Sequence, residues 1–134
     1  MIRSYAKTQA VQALSSAEAE LYACVRASCE GLGLQSLFKD FGIHVEARIF
    51  ADASAALGII GRRGLGKMRH IDTQHLWVQR ASAQRRLKYQ KTAGTANPAD
   101  ICTKAVEAWR LAQHLGFTNV LTSTDRAETA PMIT

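Results

Sequence analysis

Three cysteines, Cys24, Cys29 and Cys102, with no C-x-x-C pair among them, leave no material for a disulfide framework or a thiolate zinc site. The odd count fits a reduced, intracellular setting, and Cys24 and Cys29 read as small apolar fillers of a helix. The first residues, MIRSYAKTQ, lack the apolar stretch of a secretory signal. No apolar run approaches the roughly 18 residues that suggest a membrane span. The expectation is a soluble protein of cytoplasm or nucleus, not secreted and with no membrane partner. No G-x-S-x-G accompanies Ser15 and Ser16, which argues against a serine hydrolase. No Gly-Lys-Ser/Thr follows the glycines beyond residue 60, so there is no P-loop. His70 and His75 are not spaced as the helical pair of a zinc site. No internal repeat is visible.

What is there is enough for one folded domain. Apolar residues make up 47% of 134, which argues against wholesale disorder. The formal charge is +6. Such a balance suits a polyanion, either nucleic acid or an acidic membrane surface, and it also serves plain solubility. Much of the charge falls between residues 61 and 91. Arg62, Arg63, Lys67 and Arg69 lie in a glycine-rich loop placed to contact nucleic-acid phosphates, followed by Arg80, Arg85, Arg86, Lys88 and Lys91.

Local patterns predict an alternation of strand and helix. Residues 3–14 carry a weak strand signal. Ser15-x-x-Glu18 is a capping box that opens a long helix, loosened near Gly31 and Gly33 and stopped by Gly42. Residues 45–51 alternate as a strand, with Asp52 at its end. Short helices are expected over 53–60 and 71–83, and a basic strand over 85–91. Asn97-Pro98 starts a helix reaching about residue 114, with Asn as N-cap and Pro in the first turn. Trp77 and Trp109 fall on helical stripes and read as core. Residues 1–117 form the domain and 118–134 a flexible tail. The order points to an α/β fold.

Three acids fall at element ends. Glu20 lies in the first turns of the long helix, Asp52 after a strand, and Asp100 in the first turn of the last helix. Element ends on one side of a sheet are where α/β folds place their sites. Carboxylates gathered there repel one another unless a cation holds them, and Mg²⁺ prefers such oxygen ligands. Acids in a helix's first turn also simply complement the helix dipole, and Glu18, Glu20 and Asp100 all qualify.

Sequence motifs bear on this choice. Residues 13–23 (ALSSAEAELYA) resemble the ALSSTEAEY-type segment of the ribonuclease H domain of copia-type LTR retrotransposon Pol polyproteins. Residues 49–56 (IFADASAA) are similar to that family's strand ending in Asp. Residues 69–75 (RHIDTQH) are similar to its KHIDIRYH segment, residues 99–104 (ADICTK) to its ADILTK signature, and residues 114–117 (HLGF) to its closing LGL. The match runs in order from about residue 4 to residue 117. The resemblance implies a ribonuclease H fold that hydrolyses the RNA strand of an RNA–DNA hybrid with four carboxylates and two Mg²⁺ ions. Glu20, Asp52 and Asp100 would be the second, third and fourth acids, both catalytic and metal-binding. The upstream reverse transcriptase and ribonuclease H segment of the same polyprotein would be a partner.

The chain departs from the family's pattern twice. Ala53 stands where the family has Asn. No acid precedes Ser15, so the family's first Asp, which bridges both ions, has no counterpart. The family sheet runs 3-2-1-4-5, so the resemblance implies an incomplete mixed sheet that lacks its first two strands, flanked by helices. Alone, such a chain is expected to be inactive and marginally stable. The alternative is a non-catalytic nucleic-acid-binding or structural remnant of a retroelement.

Overall fold

The computed structural model describes residues 6–10, 12–66, 71 and 73–120. Among them run α1 (Ser16–Asp40), β1 (Arg48–Ala51), α2 (Ser54–Ile60), α3 (Trp77–Ala83), β2 (Lys88–Lys91) and α4 (Ala108–Phe117). Short 3-10 turns cover Thr73–His75, Gly94–Ala96 and Pro98–Cys102. The fold divides into two units. One spans Thr8–Thr95; the other holds the described residues from Ala96 onward together with Ala6 and Lys7.

In the larger unit α1 begins where its sequence says it should. Ser15 is extended and its hydroxyl accepts the Glu18 amide at 3.2 Å. Glu18 does not return the bond to Ser15. Its carboxylate accepts the Leu14 amide at 2.9 Å and the Tyr22 hydroxyl at 2.5 Å. The helix stops at Phe41, and Gly42 follows with φ +75, the left-handed position that glycine fills without a Cβ penalty. Gly31 and Gly33 do not loosen it, and α1 is continuous through both. At Gly31 the helix passes so close to the sheet that a Cβ would lie 3.4 Å from Ala47 Cβ and Ile49 Cδ1. Packing against β1 replaces the helix propensity that glycine lacks.

β1 and β2 pair in parallel, with Arg48 opposite Lys88 and Ala51 opposite Lys91. The chain between them, carrying α2 and α3, supplies the crossover that a parallel pair requires. Ile49 and Ala51 point into the core, while Arg48 and Phe50 point out. The core gathers Leu21 and Cys24 of α1, Ala51, then Ala56, Ile59 and Ile60 of α2, Ile71 and Val78. Full burial of a Leu, Ile or Val is worth about 1.5–3 kcal/mol each. Ser28, wholly buried in α1, bonds to the Cys24 carbonyl at 2.6 Å and to the Tyr89 hydroxyl at 2.7 Å, tying helix to β2. Gln79 of α3 donates to Ile59 O at 2.8 Å and brackets Gly64 through both of its backbone groups, pinning the glycine-rich loop.

Four local expectations are corrected. Residues 6–10 and 12–14 form no strand; residues 1–5 and 11 of that segment lie outside the described residues. The helix expected over 98–114 is two elements separated by 103–107. Asn97 does cap its start, accepting the Ala99 amide at 3.2 Å. The turn stays 3-10 because the Asp100 carbonyl accepts from both Thr103 and Lys104, closing it before an α-helical ladder develops. Cys29 is exposed, unlike buried Cys24. Trp109 is exposed on α4, its ring covered by the Arg110 guanidinium at 5.1 Å and its indole N–H bonded to Glu107. Trp77 packs partly buried against the core. Among the described residues the sheet is a parallel pair, with no antiparallel strand of the kind a mixed sheet requires. The expected tail lies outside the described residues from residue 121 on.

Candidate carboxylate site

The capped start of α1 sets the position of Glu20, which is half-buried. Glu18, two residues earlier, is buried and committed to the helix start, so its role is structural. Asp52 follows β1 directly and is also half-buried. Its strand end is fixed on two sides. The Thr92 amide donates to the Ala51 carbonyl at 3.0 Å, carrying the ladder past β2, and Lys91 Nζ donates to Ser54 Oγ at 2.5 Å. The turn after β2 then crosses close by: a Cβ on Gly94 would lie 3.7 Å from Asp52 Oδ2. A glycine there leaves the carboxylate open to approach.

Cys24 joins the two acids. It lies one turn beyond Glu20 on the same face of α1. Burial foremost, then the negative charges of Glu20 and Asp52, push its thiol from 9.0 up to about 11. Both negative charges reach one sulfur, and Cys24 packs in the same core cluster as Ala51, the residue before Asp52. Motif reading missed this cysteine as the shared neighbour. Its spacing from Glu20 is visible in sequence, but its nearness to Asp52 is not.

Asp100 belongs to the other unit. Its side chain is mostly buried, and Oδ1 accepts from Lys104 Nζ at 2.9 Å, four residues on. Among the described residues no group of three or more His, Cys, Asp and Glu side chains is close enough to hold a metal ion. Glu20 and Asp52 offer oxygen donors of the kind Mg²⁺ takes. Two carboxylates do not complete a site for it, and the described residues by themselves do not fit that ion.

The basic loop is also partly committed. Arg62 donates to the Leu65 carbonyl at 2.7 Å, and its guanidinium lies where a Cβ on Gly66, φ +57, would clash. Arg63 is exposed, while Lys67 and Arg69 lie outside the described residues. So do His70 and Asp72. His75 packs its ring on Tyr22, 4.6 Å between centroids.

Over 102 residues, 75% of the chain, the sequence is 29% identical to the retrovirus-related Pol polyprotein from transposon TNT 1-94 of Nicotiana tabacum. The chain is similar to part of a retrotransposon Pol polyprotein. It spans 8% of that polyprotein's length. No family model and no solved structure matches the chain. Among the described residues no helix is long and apolar enough to cross a membrane.

Proposed function

We propose that this chain is the ribonuclease H-type segment of a retrotransposon Pol polyprotein of the copia type, contributing Glu20 and Asp52 to hydrolysis of the RNA strand of an RNA–DNA hybrid. The observation that carries the reading is a packing one: Cys24, one turn beyond Glu20 on α1, shares a core cluster with Ala51, the residue before Asp52 at the end of β1. They are the second and third acids of the ribonuclease H pattern that the motifs resemble. The adjacency of β1 and β2 supports the same reading, because the family order 3-2-1-4-5 makes its last two strands neighbours.

In this reading Glu20 and Asp52 concentrate negative charge at the strand end, and Gly94 keeps Asp52 accessible. Glu20 and Asp52 would be two of the carboxylates around Mg²⁺, which would supply Lewis-acid chemistry for phosphodiester hydrolysis. Asp100 is the fourth acid of the pattern that the motifs resemble. The remaining ligands would come from the rest of the polyprotein, and this chain alone would not cleave.

The test is cleavage of a labelled RNA–DNA hybrid by a longer Pol segment that includes this chain, with Mg²⁺. Asp52→Asn is expected to lower the rate on the order of a hundredfold or more, the scale on which an electrostatic group of a reaction centre acts. Unchanged cleavage would remove Asp52 from the site. A second reading, nucleic-acid binding without cleavage, is favoured by the Asp100–Lys104 ion pair and by the lack of a three-ligand group among the described residues. Hybrid binding with no cleavage by the longer segment would establish it.

A further inference from the structure

A concentration of positive charge lies at the start of the strands, at the opposite end of β1 from Asp52. Arg48 and Lys88 are register partners at the first position of β1 and β2, so two cations face one another across the pair. Like charges directly opposite are destabilising. One carboxylate offsets them: Glu46 accepts from Arg48 Nε at 3.0 Å and from Lys88 Nζ at 2.9 Å, one oxygen each. The two bonds hold the Glu46 carboxyl below its usual range. Two further cations follow at the end of α3. Arg85 and Arg86 are exposed and form no ion pair with an acid among the described residues.

These groups line two open hollows that share Arg85. One, of about 450 Å³, is bordered by Arg48, Ser82, Arg85, Lys88 and Tyr89. The other, of about 520 Å³, is bordered by Lys39, His44, Glu46, Arg85 and Arg86. Five cations therefore face one acid across adjoining concave surfaces.

The backbone at the shared residue is unusual. The Arg86 amide bonds to the Ala81 carbonyl and the Arg85 amide to the Ser82 carbonyl, the bonding pattern of a helix end whose left-handed residue is ordinarily glycine. Here that residue is Arg85, with φ 56. A side chain in this conformation is strained, and strain of this kind persists where function retains it.

We infer that the strand-start face is a phosphate-binding surface for a nucleic-acid backbone, with Arg85 and Arg86 as its free cations and Glu46 as an internal counter-ion that holds back Arg48 and Lys88. It shares its ligand class with the function proposed above but not its site. Four residues of strand, roughly 13 Å at about 3.3 Å per residue, separate this face from Asp52. A duplex held at one end of the sheet can therefore extend past the other.

The test uses the full chain and a fluorescein-labelled RNA–DNA hybrid, with anisotropy measured against salt. Arg85→Ala/Arg86→Ala should weaken binding about tenfold or more near 0.1 M salt and flatten the log–log salt slope by about one for each phosphate no longer neutralised. Glu46→Gln should act oppositely, tightening binding several-fold and steepening the slope, because it releases two cations. Arg85→Gly should weaken binding while raising Tm, since it relieves the left-handed strain, so a damaged fold cannot explain the weaker binding. Unchanged affinity and slope in the Arg85 and Arg86 variants would overturn the assignment. Binding to phosphatidylserine vesicles but not to the hybrid would overturn it too. The loss of affinity in Arg85→Ala/Arg86→Ala should be of the same size with Asp or Asn at position 52, so loss of cleavage in the longer segment and loss of binding here are separate results.

Discussion

Cys24 reports on the acids because its buried thiol feels the charge of both. Its proton is held more tightly in the folded chain than in an unfolded one, up to about 11 against 9.0. The folded state is therefore favoured below pH 9 and loses that advantage as pH rises from 9 through 11. Alkylation should show two accessible thiols, Cys29 and Cys102, and one slow thiol, Cys24, that becomes reactive only in strong base or after denaturation. Asp52→Asn should lower the Cys24 titration midpoint without returning it to 9.0, because burial outranks either charge. The pH dependence of the alkylation rate measures this, and a midpoint unmoved by the substitution would separate Asp52 from Cys24 and dissolve the proposed pair. At this scale Glu20 and Asp52 were legible as motif residues. What joins them is the packing of α1 against the end of β1, and no local pattern encodes it.

Elements are legible where their causes are local. The Ser15 cap is one such cause, and its hydroxyl satisfies an amide that the first turn of α1 would otherwise leave unpaired. Ser15→Ala should cost about 1 kcal/mol and lower Tm by a few degrees, while Ser15→Asp should restore most of it. Thermal unfolding followed by helical circular dichroism checks both, and equal Tm values would mean that Glu18 alone holds the helix start. The partner of Glu18 was not legible, since reaching Leu14 instead of Ser15 depends on how the preceding chain folds back. Gly31 misled for a related reason. Propensity counts its missing side chain as a weakness, yet the close approach of Ala47 and Ile49 makes that absence useful. The helix expected from Pro98 failed differently: its cap forms as the sequence implies, but the double acceptance by the Asp100 carbonyl ends the turn early. The left-handed Arg85 had no sequence signal, because glycine is what that position ordinarily announces.

At the scale of the whole molecule, a two-stranded sheet carries little stability by itself. In this chain α1 and the crossover helices cover one face and leave the other to solvent. The two strands differ in how they resist pairing with another chain. β2 has lysines at both ends, Lys88 and Lys91, which discourage edge-to-edge association. β1 has Arg48 at its start and then Ile49, Phe50 and Ala51, with no strand partner on its outer edge among the described residues. Phe50 is 57% exposed on the uncovered face of this strand. The apolar exposure and the open edge coincide, so association should proceed through β1. Light scattering at rising micromolar concentration should show a mass that climbs above 14.6 kDa, and Phe50→Lys should hold it near that value. Equal association in both proteins would assign it to another surface, such as the exposed Trp109 and Phe117 of α4. Because Phe50 and Arg48 share the outer face of β1, hybrid bound at the strand start should also reduce association, and more strongly at low salt, where phosphate contacts are tightest.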